Sequence, residues 1–248
     1  VIAGVQLRAI ESVNGKMDID KVKKAIRYVD DIHYPETGFI CIENAYSDGT
    51  VLSLDYMKEL HMVAKEAGLK IHMDGARLFN AALSMKEEVS EVLKYVDSAM
   101  FCLSKGLCAP VGSMLVGDID FIKKARKKRK LMGGGMRQAG ILGAAGLIAL
   151  KEMRLRLVED HENVKYMAEE LSKIQGIEVL KDNLDINMVF FNITDNRLKG
   201  KMTKEAFLKE GIKINPEEDN MMRFVCHYYI SKSDIDTVIN LIHRLRRY

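Results

Sequence analysis

Between residues 38 and 116, short β-prone runs alternate with helix-forming stretches, and this alternation constrains the fold more than any other feature of the chain. Residues 38–44 read Gly-Phe-Ile-Cys-Ile-Glu-Asn, an apolar run that ends in polar residues and is followed by the turn dipeptide Asp48-Gly49. Over 55–67, Met57, Leu60, Val63 and Ala64 recur at helical spacing, and Gly68 stands where a C-cap glycine would. Residues 70–74 and 98–103 read as the next strands. Strands separated by helices form parallel β-α units, so the chain predicts an α/β domain. Ligands of such sheets bind beyond the carboxyl ends of the strands, and Asp74 and Lys105 stand at two such ends.

The rest of the chain changes rhythm. A strand over 111–116 and a basic helix over 118–130 precede an alanine- and leucine-rich helix, which is predicted to run from Arg137 to about residue 157 and on into 163–173. Short strands at 178–180, 188–193 and 223–228, a helix at 204–210 and a terminal helix from Asp234 predict a small α+β domain. The boundary is placed near residue 155, giving 1–155 and 156–248. Ser231-x-x-Asp234 resembles a capping box, and the helix it opens is expected to bury Ile235, Val238, Ile239, Ile242 and Leu245.

Composition excludes little but narrows the partners. With 48% hydrophobic and 29% charged residues the chain reads as globular rather than disordered. Its 38 basic residues nearly balance 35 acidic ones, so bulk charge calls for neither nucleic acid nor an anionic membrane. The run Lys123-Lys124-Ala125-Arg126-Lys127-Lys128-Arg129-Lys130 has no interleaved aromatics to stack on bases and reads as a solvated helix face. Cys41, Cys102, Cys108 and Cys226 are scattered, without metal-ligand spacing, and are read as reduced thiols in a cytoplasmic protein. No apolar run reaches membrane-spanning length, and no signal peptide is legible at the start. Val1-Ile2-Ala3-Gly4-Val5 is not a natural domain opening, which suggests an N-terminally incomplete chain.

Ser104-Lys105-Gly106 places a lysine just beyond an apolar strand, where partial desolvation would favour a neutral, nucleophilic amine. One β-α unit upstream, Asp74 could face the same ligand as Lys105 and keep a pyridine nitrogen protonated. The alternative for Asp74 is a helix cap, and for Lys105 a solvated surface charge.

Three stretches carry a resemblance: residues 72–81 (His-Met-Asp-Gly-Ala-Arg-Leu-Phe-Asn-Ala), 102–107 (Cys-Leu-Ser-Lys-Gly-Leu) and 133–140 (Gly-Gly-Gly-Met-Arg-Gln-Ala-Gly). In order and spacing they resemble the successive signatures of the threonine aldolases, within the beta-eliminating lyase group. The resemblance implies the aspartate-aminotransferase-like fold that binds pyridoxal 5'-phosphate (PLP), with a large α/β domain and a small C-terminal α+β domain. It implies Lys105 as the lysine that attaches the cofactor, with Ser104 beside it, and Asp74 as the partner of the pyridinium nitrogen. Arg77 would hold the substrate or the cofactor's phenolic oxygen, Arg223 would grip the substrate α-carboxylate, and Arg137 would meet the cofactor phosphate of its own or a neighbouring subunit.

The family's threonine and histidine after the Glu-Asn pair are replaced here by Ala45 and Tyr46, which makes Tyr46 a candidate for the catalytic position. A preceding segment with a phosphate loop and a ring-stacking residue, which the resemblance also implies, is not among these residues. The implied reaction is aldol cleavage of L-threonine or L-allo-threonine by a homodimer or homotetramer, without a metal. The alternatives are β-elimination on another β-hydroxy or aromatic amino acid, or an inert fragment serving only as an oligomerisation scaffold.

Overall fold

Asn14 and Gly15 both take positive φ, 51° and 71°, and close a tight hairpin between β1 (Ser12–Val13) and β2 (Lys16–Met17). The structure is a computed structural model and describes residues 3–28, 32–218 and 220–247. After the hairpin come α1 (Ile19–Ala25), β3 (Phe39–Glu43), α2 (Leu54–Glu66), β4 (Lys70–Asp74), α3 (Leu78–Met85), α4 (Val89–Leu93), β5 (Ser98–Cys102) and β6 (Ser113–Gly117). These strands form one sheet in the order β3-β4-β5-β6.

The pairs β3·β4 and β4·β5 are parallel, as the strand-helix alternation predicts. The last pair is antiparallel. Only a short loop separates β5 from β6, and a parallel return needs a crossover of a dozen residues or more. Alternate residues divide the sheet into two faces. Ile40 and Ile42, Ile71 and Met73, and Ala99 and Phe101 are buried and join one core with Met57, Leu60 and Val63 of α2. Each such side chain contributes roughly 1.5–3 kcal/mol by leaving water. On the opposite face Cys41, Glu43, His72, Asp74, Met100 and Cys102 are half-buried or exposed.

α5 (Ile119–Leu131) is N-capped by Asp118 and buries none of its residues, the solvated basic face expected from its charge run. The single long helix expected from residue 137 is instead interrupted. α6 (Gly140–Lys151) ends at Glu152, a 3-10 turn spans Met153–Arg156, and α7 (Leu157–Ser172) follows. Leu157 is buried in the first core, whereas Val164, Met167, Ala168 and Leu171 belong to a second one. Ala149 of α6 and Leu157 of α7 are thus buried in the same core on either side of the break.

The remaining elements are β7 (Ile177–Val179), β8 (Met188–Ile193), α8 (Asn196–Lys199), α9 (Lys204–Lys209), β9 (Met221–Val225) and α10 (Lys232–Arg247). An antiparallel sheet in the order β7-β8-β9 packs on α7 and α10. α10 buries Ile235, Ile239 and Ile242 fully and packs Val238 and Leu245 partly, which matches its helical spacing. Its N-terminus is closed by Ser231 and Asp234 in reciprocal hydrogen bonds, 2.8 Å from Ser231 N to Asp234 Oδ2 and 3.3 Å from Asp234 N to Ser231 Oγ. A third cluster of Ala45, Ala81, Ile186, Met188 and Phe190 joins the first sheet's loop and helix to β8.

Candidate active site

Three strand ends build the site. Glu43 ends β3, Asp74 ends β4, and the two are direct partners in the parallel register, which continues from Asp74 to Met100 on β5. Glu43 and Asp74 project from the face opposite the core, because Ile42 and Met73 before them are buried. Asp74 Oδ1 accepts a hydrogen bond from Ala76 N at 3.0 Å, a local turn that fixes the carboxylate. Gly75 then runs so close to β5 that a Cβ there would meet the Met100 carbonyl oxygen at 2.8 Å. α3 begins only at Leu78, with Arg77 as an N-cap residue that makes no side-chain capping bond. Asp74 is therefore not the cap of that helix, and the simple capping alternative falls away.

Beyond β5 the chain turns sharply. Cys108 N donates to Lys105 O at 2.9 Å and Ala109 N to Leu103 O at 3.0 Å, which puts Ser104 and Lys105 on an exposed crest. The desolvation expected for Lys105 is thus not supplied by the described residues, since the apolar strand stops two residues short of it. What the turn does bury is Gly106 and Leu107. A Cβ on Gly106 would lie 3.0 Å from Leu157 and 3.4 Å from Asn80 Oδ1, so the turn is pressed onto α3 and α7.

Asn80 and His161 sit directly behind that turn, and sequence reasoning did not single them out. Asn80 is 3% exposed and its Nδ2 is 3.2 Å from His161 Nε2. Burial first, then the charge of Lys165, pushes His161 down to about 4, so the ring is neutral at physiological pH and can accept the Asn80 amide proton. The available signal was position: Asn80 lies three residues after Arg77, within the same 72–81 stretch.

Electrostatics shows which predicted residues share a neighbourhood. Burial raises the Glu43 carboxyl above its usual range, Asp74 raises it further, Arg77 and Lys105 lower it, and Asp48 raises it. Asp74, Arg77 and Lys105 therefore act on one point. Burial also lowers the half-buried Arg77 guanidinium, next the positive charge of Arg223 lowers it, and Glu43 opposes both. Arg223 reaches this region from β9, which pairs with β8 in the second sheet.

Two expected residues are differently placed. Tyr46 packs its ring on the hairpin, where a Cβ on Gly15 would lie 2.8 Å from Tyr46 Cγ. Arg137 lies in the exposed turn between α5 and α6 and is not among the charges that act on Glu43 or Arg77.

An amine and a carboxylate at adjacent strand ends of a mostly parallel sheet, with two arginines converging beside them, narrow the candidates. Residues 1–194 match the Beta-eliminating lyase family. The chain belongs to that family. It is 40% identical over 239 residues to low-specificity L-threonine aldolase 1 of Arabidopsis thaliana, covering 94% of this chain and 67% of that protein. It is 39% identical to the low specificity L-threonine aldolase of Escherichia coli, covering 96% of this chain and 69% of that one. Among solved structures, a putative L-allo-threonine aldolase from Listeria monocytogenes superposes with a TM-score of 0.77 at 18% identity, over 95% of this chain and 67% of that one. Leishmania major threonine aldolase gives 0.78 at 17%, over 98% and 71%. Those two likenesses bear on the fold, which is that of the PLP-dependent enzymes.

Membership makes this a PLP-dependent lyase, and the residues at the strand ends fit that cofactor. Lys105, an exposed amine, and Asp74, a carboxylate held by its own turn, are the residues that would hold its aldehyde and its ring nitrogen.

Proposed function

We propose that this chain belongs to an enzyme that cleaves L-threonine or L-allo-threonine to glycine and acetaldehyde. The observation that carries the reading is the convergence of Asp74, Arg77 and Lys105 on Glu43 at neighbouring strand ends, in a chain 39–40% identical to low-specificity L-threonine aldolases. When bound, PLP supplies the electron sink that a Cα–Cβ cleavage needs.

The roles of the chain's own residues follow from their chemistry. Lys105 is the attachment amine, with Ser104 beside it, and Asp74 holds the proton on the ring nitrogen. Arg223 takes the substrate carboxylate in the bidentate way that suits a guanidinium, and Arg77 lies between it and Glu43 to orient the amino acid. Tyr46 is assigned to the base by its place after the Glu43-Asn44 pair, with its ring packed on the hairpin. Arg137 is assigned to the cofactor phosphate of a neighbouring subunit, in a homodimer or homotetramer whose large and small domains divide near residue 155.

The test is product analysis with PLP present. L-Threonine is expected to yield glycine and acetaldehyde in equal amounts. Ammonia and a keto acid instead would indicate β-elimination and overturn the reading.

A further inference from the structure

Glu43 stands at the centre of the site's charges, yet it has no assigned role. Its carboxyl takes part in no hydrogen bond or ion pair among the described residues. It is half-buried, whereas Asp74, its direct register partner, is exposed on the same face. Paired parallel strands run about 4.8 Å apart, and residues in register on one face project side by side. The negative charge of Asp74 beside it therefore adds to burial in disfavouring ionisation of Glu43.

We propose that Glu43 and Asp74 form a coupled carboxyl pair, in which Glu43 is a positioning residue that sets the charge Asp74 presents to the group bound at the strand ends. The proposal deepens the functional reading above and rests on it for the identity of that group. A glutamate side chain held without a hydrogen-bond partner beside a second carboxylate is an unfavourable arrangement for stability alone. Arg77 at the start of α3 and Lys105 beyond β5 offset it, while Asp48 in the turn after β3 adds to the negative charge. Cys41 on β3 and His72 on β4 share the face, and the charge of Asp74 acts on both. An anionic Glu43 adds its negative charge to the strand ends, so a positively charged group bound there is favoured.

Two measurements test the pair. In cofactor-free protein, the side-chain carbonyl resonance of labelled Glu43 is followed against pH by NMR. Asp74→Asn is expected to move its midpoint down by at least about 0.5 unit, a threefold change in proton affinity. In PLP-loaded protein, the visible band is titrated for native chain, Glu43→Gln and Glu43→Asp. Glu43→Gln is expected to lower the midpoint by a similar amount, and Glu43→Asp to restore most of it. An unmoved Glu43 midpoint in Asp74→Asn, or an unmoved band in Glu43→Gln, overturns the proposal. If the native chain shows no visible band, the PLP reading fails, and the cofactor-free titration alone decides whether the carboxyls are coupled.

Discussion

At the residue scale the site depends on what each strand end presents. Lys105 sits on an exposed crest made by the Leu103–Ala109 and Lys105–Cys108 backbone bonds, so its amine is accessible without any movement of the chain. Lys105→Ala is expected to abolish covalent PLP attachment. Borohydride reduction followed by peptide mapping checks this, and label on another lysine would contradict the assignment. Asp74→Asn keeps the local turn, because an amide oxygen also accepts from Ala76 N. It removes the negative charge, however. Cofactor binding is expected to persist while turnover falls by roughly 100-fold or more, in line with losing one well-placed electrostatic stabiliser. Steady-state kinetics beside an equilibrium cofactor titration separates the two effects.

At the element scale the turn that carries Lys105 is held from behind. Asn80 of α3 and Leu157 of α7 press on Gly106, and His161 of α7 holds Asn80. A neutral, buried His161 has a consequence for stability. Its folded value, about 4, lies below the unfolded one of 6.5, so the unfolded chain binds the proton more readily between those values. The contribution of neutral His161 is therefore complete above about pH 6.5 and is lost as pH falls toward 4. At 1.36 kcal/mol per unit the full effect is roughly 3 kcal/mol. Urea denaturation at pH 7 and pH 4.5 is expected to show a steeper loss for the native chain than for His161→Gln. Equal losses would mean that the ring is not held neutral. The hairpin plays a similar part for Tyr46, since the glycine at its turn leaves room for the ring.

At the scale of the whole molecule, the apolar surface is distributed unevenly. On α6, Ile141 is 86% exposed, and Leu147 and Ile148 are about half exposed. Nearby Leu131, Met132 and Met136 are also open to solvent, and all of α5 is unburied. An apolar surface of this kind favours association. The proposed homo-oligomer would cover such a surface and bring Arg137, on the turn between the two helices, toward a neighbouring copy. Light scattering coupled to size exclusion is expected to show a dimer or tetramer. A stable monomer that binds PLP at full stoichiometry would count against that assembly.

Much of this was legible in the linear chain, for physical reasons that differ by feature. Burial on one sheet face imposes a period of two, as in Ile40 and Ile42 or Ile71 and Met73, and the helices between such runs supply the crossovers that make the strands parallel. The motif residues pointed to Asp74, Arg77 and Lys105 as candidates because the chemistry sought depends on residue type and on strand ends, both of which are local. The antiparallel return of β6 follows from the short loop after β5, a length the chain does show. The break at Glu152 has no local signature, because Ala149 and Leu157 on either side of it are buried in the same core. Glu43 and the Asn80–His161 contact were invisible for the same reason: their significance lies in partners 31 and 81 positions away. Sequence alone thus determined which residue types could hold the cofactor. Tertiary structure decided which of them share one electrostatic neighbourhood, because register and helix packing set distances that no spacing along the chain encodes.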